Sequence, residues 1–327
     1  MSAPLEAGAG GRVPVRAIEA EIRRLWRENA KEGGEPVTRA CLLTLVALVA
    51  DESELANATR AARAAAARHP ARLVFVLARP GAALPPSIDA AVNAYCTVAG
   101  RGRRQVCHED VEIAATGAAV ESVPSAVRPL LVPDLPVLLW MPSDRLAASS
   151  AAAALATLSD RVIADSATWA PESLRRLRAD GAAVSDLAFG RTLPWRRAIA
   201  ALFDGPSCAS ARDLASARVT GALPDAAILA AWIEGRSGAR TSVENAPGPG
   251  IRSASFDTAG AARFRVDLDS GRLVARIDAP GACRPWSEPF AAPSEDALVE
   301  AEIARAAADP VAAATLDAGI LALAGSR

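Results

Sequence analysis

The chain is short of the side chains from which most enzymes build their chemistry. Of its 36 basic residues only Lys31 is a lysine, and there are two histidines, His69 and His108. Lys31 runs into Gly33–Gly34, a glycine-rich loop, and is a poor Schiff-base candidate. His69 precedes Pro70 at an expected helix end, where a helix C-terminus explains it. His108 adjoins Cys107, but neighbours on a strand point to opposite faces, so the two cannot act together as nucleophile and base. No GxSxG, no paired-carboxylate motif and no Cys/His/carboxylate cluster with ligand spacing is present. The turn after the first strand has neither GxGxxG nor GxxxxGK[ST], so no phosphate cradle is signalled. No catalytic, cofactor-binding or metal-binding residue is therefore expected, and no cofactor.

The other scarcities set the compartment and the partners. Five cysteines, at 41, 96, 107, 208 and 283, form no CxxC and no framework, which suits a reducing compartment and argues against an oxidative switch. Cys96 and Cys107 could still meet across neighbouring strands. No basic segment followed by an apolar one opens the sequence, and the longest apolar run, Ala40 to Ala50, falls short of the ~20 residues that span a bilayer. A cytoplasmic protein is expected. The formal net charge of −1 gives no general pull toward nucleic acid or an anionic membrane.

What is present is apolar and aliphatic: 51% of residues are hydrophobic but 4% aromatic. At 327 residues two domains are expected. Residues 1–13 read as a loose N-terminus. Val15, Ile18, Ile22, Leu25 and Trp26 recur at helical spacing up to Glu28. Cys41 to Val49, a helix through Ala67 capped by Asp51 or Ser53, and Leu73 to Leu77 make one βαβ unit. Residues 79–90 read as a loop, 91–98 are ambiguous, and 100–104 form a basic turn. Gln105 to Ala115 reads as a strand, and 118–131 as a helix. Pro133 and Pro136 then bracket Asp134, and Leu135 to Trp140 is a short apolar run that suits a central parallel strand. Helix 147–158, strand 161–164, helix 171–178 and helix 195–203 continue the alternation. The expected fold is α/β: a mainly parallel, Rossmann-like domain over 14–206. A smaller α+β domain follows over 207–327, with strand 214–220, helix 225–234, a Gly/Ser/Pro-rich 235–250, a hairpin on Ser270–Gly271, and helices 294–307 and 310–323.

Three blocks carry more than a pattern. They are Pro133–Asp134–Leu135–Pro136 through Trp140, Asp160–Arg161–Val162–Ile163–Ala164–Asp165–Ser166, and Asp186–Leu187 through Leu193–Pro194–Trp195–Arg196. In order and spacing they resemble the glucose-6-phosphate dehydrogenase assembly protein family, OpcA, and the resemblance extends over roughly 14–325. It implies a non-catalytic partner that binds glucose-6-phosphate dehydrogenase, promotes its active oligomer and raises its activity, within the oxidative pentose phosphate pathway. Asp134, Trp140, Asp186, Arg191, Trp195 and Arg196 are the expected partner-binding residues, with Trp140 and Trp195 as aromatic anchors on the rim at the strand ends. Two other readings stand beside it: an adaptor with another partner, and a sugar-phosphate enzyme using Arg128, Arg191 or Arg196 as phosphate ligands.

Overall fold

A computed structural model describes the chain except residues 1–4, 33–37, 40, 82, 84, 100–103, 204–210, 261, 279–284, 306 and 326–327. Residues 100–103 of the turn expected over 100–104, the boundary at 204–207, Cys208 and Cys283 lie outside the described residues, and Arg104 begins a strand. The chain divides into two compact units that interleave along the sequence. The first holds residues 1–164, 176–184 and 295–307; the second holds 165–175, 185–294 and 308–327.

The first half of the chain runs β1 (Leu5–Val13), α1 (Ile18–Glu32), β2 (Thr38–Arg39), β3 (Leu43–Val49), α2 (Glu52–Ala66), β4 (Ala71–Arg79), β5 (Ser87–Ala99) and β6 (Arg104–Thr116). It continues with α3 (Val123–Val127), β7 (Val137–Trp140), α4 (Ser150–Thr157), β8 (Arg161–Ala164), α5 (Pro171–Ala179) and β9 (Val184–Asp186). Then come α6 (Leu187–Arg191), α7 (Leu193–Ala201), β10 (Leu214–Gly221), α8 (Asp225–Ser237), β11 (Arg240–Asn245) and β12 (Ile251–Thr258). The chain closes with β13 (Arg263–Asp269), β14 (Arg272–Asp278), β15 (Trp286–Pro289), α9 (Glu295–Ile303) and α10 (Pro310–Gly325).

The first sheet has the order β1-β5-β6-β4-β3-β7-β8-β9, with β2 on β6. From β6 through β4, β3 and β7 to β8 every pairing is parallel. Every residue of β3, β7 and β8 is buried, as a parallel sheet covered on both faces requires. The α/β class expected from the apolar runs is the class observed, and β7 lies between β3 and β8 as a central strand. The intervening helix is set by its first turn. Asp51 accepts from the Glu54 N–H at 2.9 Å, and Glu54 accepts from the Ala50 N–H at 2.8 Å, a reciprocal cap.

Four local expectations are corrected. Residues 5–13 form a strand, because β5 offers an open edge to pair with. Residues 87–99, read as loop and ambiguous segment, form one long strand antiparallel to β6; this ladder sets Cys96 opposite Cys107. Helix α1 continues to Glu32, which places Lys31 in a helix and not a loop. The helix expected over 118–131 breaks into 3₁₀ turns around the short α3, since Pro124 and Pro129 each remove a backbone donor.

Helix α9 returns to the first unit late in the chain and lies along α2. Arg60 pairs with Asp296, Arg68 with Glu300, and His69 Nε2 stands 3.6 Å from Glu300. A buried contact fixes its end. Arg161 on β8 donates Nη1 to Glu302 at 2.5 Å, and its Nη2 to the Glu302 and Arg305 carbonyls at 2.8 Å each. A guanidinium there meets the negative end of the helix dipole.

The second sheet has the order β11-β10-β12-β13-β14-β15. All its pairings are antiparallel except β10 with β11. The hairpin expected at Ser270–Gly271 is there, with φ of 48° and 73° at the two turn residues. One face of this sheet packs Val219, Ala254, Phe256, Phe264, Val266 and Ala275 against Trp195 and Ile199 of α7 and Leu229 and Ile233 of α8. Phe203 meets Phe256 and Phe264 edge-on at 6.0 and 5.4 Å between ring centres. Residues 240–245 and 251–258, within or beside the stretch read as Gly/Ser/Pro-rich, are strands.

Candidate functional site

Four of the six expected site residues are brought together on one segment, from the end of β9 through α6 into α7. Asp186 caps α6. Its Oδ1 accepts from the Ala188 N–H at 2.9 Å and from the Ser166 N–H at 3.0 Å. Its Oδ2 is buried without a hydrogen-bond partner. Burial pushes the Asp186 carboxyl up to about 6, against the two backbone donors that favour its charge.

Arg191 closes the same helix as a double fork. It donates Nη1 and Nη2 to the two oxygens of Asp165, each at 2.7 Å, and Nε to Asp225 at 3.0 Å. Burial opposes the guanidinium charge, but the two carboxylates outweigh it and hold the Arg191 pKa above its usual value. Asp225 is moved up by burial, with Arg191 pulling the other way. Parallel charge-assisted bonds of this kind are strong and directional. Three stretches of chain are thereby tied together: the turn after β8, the end of α6 and the start of α8.

Arg196 lies one turn on. Its guanidinium carbon sits 3.6 Å from the centre of the Phe189 ring, with Trp232 at 6.0 Å. Its Nη2 donates to the Phe189 carbonyl at 3.0 Å and its Nε to Thr192 Oγ1 at 3.1 Å. These donors of Arg191 and Arg196 are thus engaged within the fold, and a phosphate would have to displace them. Arg128, the third arginine of the phosphate reading, is exposed at a 3₁₀ turn.

The two tryptophans require a correction. Trp140 and Trp195 are each 1% exposed, so neither indole offers a surface to a partner. β7 is an interior strand covered on both faces, and Trp195 falls on the buried stripe of α7 with Ala198 and Ile199. Trp195 meets Phe290 edge-on at 6.3 Å. The apolar group that this segment does expose is Leu193, at 37%. Asp134 is exposed in the turn between Val132 and Leu135, with a left-handed φ of 62°.

Sequence reasoning missed Asp165 and Asp225 as the partners of Arg191, and Phe189 as the platform for Arg196. The Asp165–Ser166 pair and the Asp225 helix start were visible, but nothing in the spacing joins them to Arg191. Among the described residues no group of three or more His, Cys, Asp or Glu side chains could hold a metal ion. No described helix is long and apolar enough to cross a membrane.

A mainly parallel sheet followed along the chain by a mainly antiparallel one matches a two-part family. Residues 62–179 match the N-terminal domain of the glucose-6-phosphate dehydrogenase subunit family, and residues 182–316 match its C-terminal domain. The chain belongs to this family, OpcA. A curated relative from Nostoc punctiforme, described as a putative OxPP cycle protein OpcA, is 28% identical over 147 residues, 43% of this chain. That match spans 31% of the relative's length. A solved structure, an oxidoreductase from Sinorhizobium meliloti, covers 90% of both chains at 10% identity with a TM-score of 0.38, a likeness that bears on neither fold nor function.

Proposed function

We propose that this protein is a non-catalytic assembly factor and activator of glucose-6-phosphate dehydrogenase, acting in the cytoplasm on the oxidative pentose phosphate pathway. The observation that carries the reading is the paired match: both halves of a dehydrogenase-subunit family lie in order along this one chain. The chemistry of the candidate site agrees with it. Asp186, Arg191 and Arg196 direct these hydrogen bonds to their own backbone and neighbouring side chains, so the segment is built to hold a shape. A rigid, pre-ordered surface lowers the ordering cost of association.

In this reading the partner surface is the exposed side of the α6–α7 segment around Leu193, with Asp186, Arg191, Trp195 and Arg196 positioning it from beneath. The turn at Asp134 is a separate candidate contact, and Trp140 acts through the core. An activator shifts a conformational equilibrium only by its differential affinity for the two states, typically ~1–3 kcal/mol or roughly 5–150-fold. Copurification tests the association. The tagged protein retains the cognate dehydrogenase, and Leu193→Asp, on an exposed position, weakens retention without loss of fold. Failure of the parent protein to retain the enzyme or alter its oligomeric state counts against the proposal.

A further inference from the structure

β11 is the terminal strand of the second sheet, bonded on one side to β10 and bordered on the other by no strand among the described residues. Natural sheets usually protect such an edge with proline, a bulge or charged side chains, lysine above all. β11 has no proline, its pairing with β10 runs through six residues without a register shift, and its two charges are opposite. Those charges are placed symmetrically: Arg240 lies two residues before Ser242 and Glu244 two residues after it. The register puts Arg240 beside Ser216 and Glu244 beside Thr220, so both project from the solvent-facing side of the sheet. Glu244 accepts from Thr220 Oγ1 at 3.3 Å on that side. Thr241 projects the other way, donating to Glu234 on α8 at 2.7 Å. Val243 shares that side and is 37% exposed. It lines an apolar groove of about 480 Å³ whose floor is Ala227, Ala230 and Ala231 of α8.

We infer that this edge is a self-association surface, on which β11 of a second copy pairs antiparallel about a two-fold axis at Ser242. In that register Arg240 of each copy stands opposite Glu244 of the other, giving two ion pairs on the polar face. Thr241 stands opposite Val243 on the α8 side, so two β-branched pairs lie along the alanine-lined groove. Opposite charges and β-branched residues are the cross-strand pairs that stabilise a sheet. Moving the axis to Val243 would set Ser242 against Glu244 and Thr241 against Asn245, with no ion pair. An axis between Ser242 and Val243 would oppose residues that project from different faces, which an antiparallel ladder does not allow. Only the Ser242 axis makes the strand complementary to itself, which a two-fold interface requires. A partner of any other kind gives no reason for charges mirrored about one residue. One strand pair is a small interface, so the dimer is weak and concentration-dependent. This inference does not depend on the dehydrogenase reading.

Sedimentation of the full chain across a concentration series tests it. The parent shows a reversible monomer–dimer equilibrium. Arg240→Glu or Glu244→Arg alone turns both ion pairs into like-charge pairs and raises the dimer dissociation constant about tenfold or more. The double swap Arg240→Glu/Glu244→Arg restores it. Both side chains are exposed, so the variants fold. Ser242→Cys, opposite itself on the axis, gives a covalent dimer on oxidation, whereas the parent and Arg272→Cys on β14 do not. A parent that stays monomeric to its highest soluble concentration, with no Ser242→Cys cross-link, overturns the inference. So does a dimer indifferent to the charge reversals.

Discussion

Arg161 and Glu302, 141 positions apart in sequence, form an ion pair inside the first unit with both side chains nearly inaccessible. Burial pulls the Arg161 pKa down, and Glu302 opposes it. Removing one partner strands a buried charge, which typically costs ~3–5 kcal/mol. Glu302→Leu is therefore expected to lower the unfolding free energy by about that amount. Arg161→Met/Glu302→Leu removes both charges and should recover most of the loss. Denaturant titration of the three proteins checks this, and equal stability of the single and double variants would contradict it.

Asp186 gives a pH signature. Its folded pKa, pushed by burial to about 6, lies above its unfolded value near 3.8. The folded state therefore binds the extra proton between these values. This group's contribution is full below about pH 4, falls as pH rises through about 6, and is then constant. The difference is worth at most about 3 kcal/mol. Asp186→Asn keeps an oxygen for the Ser166 and Ala188 N–H groups and does not titrate. Relative to the parent it should gain roughly 1.4 kcal/mol between pH 5 and pH 8, about half of that difference. A stability difference that does not change over that interval would show that Asp186 does not titrate there.

Arg191 makes a geometric prediction. Lysine has the charge but cannot fork onto Asp165 and reach Asp225 at once. Arg191→Lys is expected to cost about 2 kcal/mol, in the range of a lost charge-assisted bond, and Arg191→Met more. Unfolding midpoints at neutral pH measure both. A lysine variant as stable as the parent would mean that the fork adds nothing beyond its charge.

At Asp134 the left-handed backbone sets the order of tolerance. A β-branched residue is strained at φ near 62°, whereas glycine is not. Asp134→Val should destabilise by about 1–2 kcal/mol, with Asp134→Gly near neutral. The same pair separates backbone from contact: if the Asp134 carboxylate touches a partner, Asp134→Gly folds well yet binds more weakly.

The sequence made the centre of the first sheet readable because β3, β4, β7 and β8 are continuous apolar runs with clear stops. It hid β5, whose Ser87 to Ala99 mixes Ala, Asp, Asn and Thr without a clean alternation and becomes a strand through its long ladder with β6. The 118–131 segment has a helical pattern, but Pro124 and Pro129 divide it. At the candidate site the residue types were legible and the partners were not. Asp165 and Asp225 lie 26 and 34 positions from Arg191, and only the fold brings them within 3.0 Å. Burial was the larger misreading. A tryptophan after a proline-bearing corner looks the same whether it ends on a rim or in a core, and both indoles here are interior.

The role proposed for this chain is to raise the activity of a glucose-6-phosphate dehydrogenase while turning over nothing itself. Initial rates of the cognate dehydrogenase, measured as the protein is titrated from none to excess at fixed substrate, test it most directly. The expected result is a saturable rise within roughly 5–150-fold. The rise is reduced at limiting concentration by Leu193→Asp, and the protein alone gives no rate. A dehydrogenase whose rate, substrate affinity and oligomeric state stay unchanged at saturating protein would contradict it.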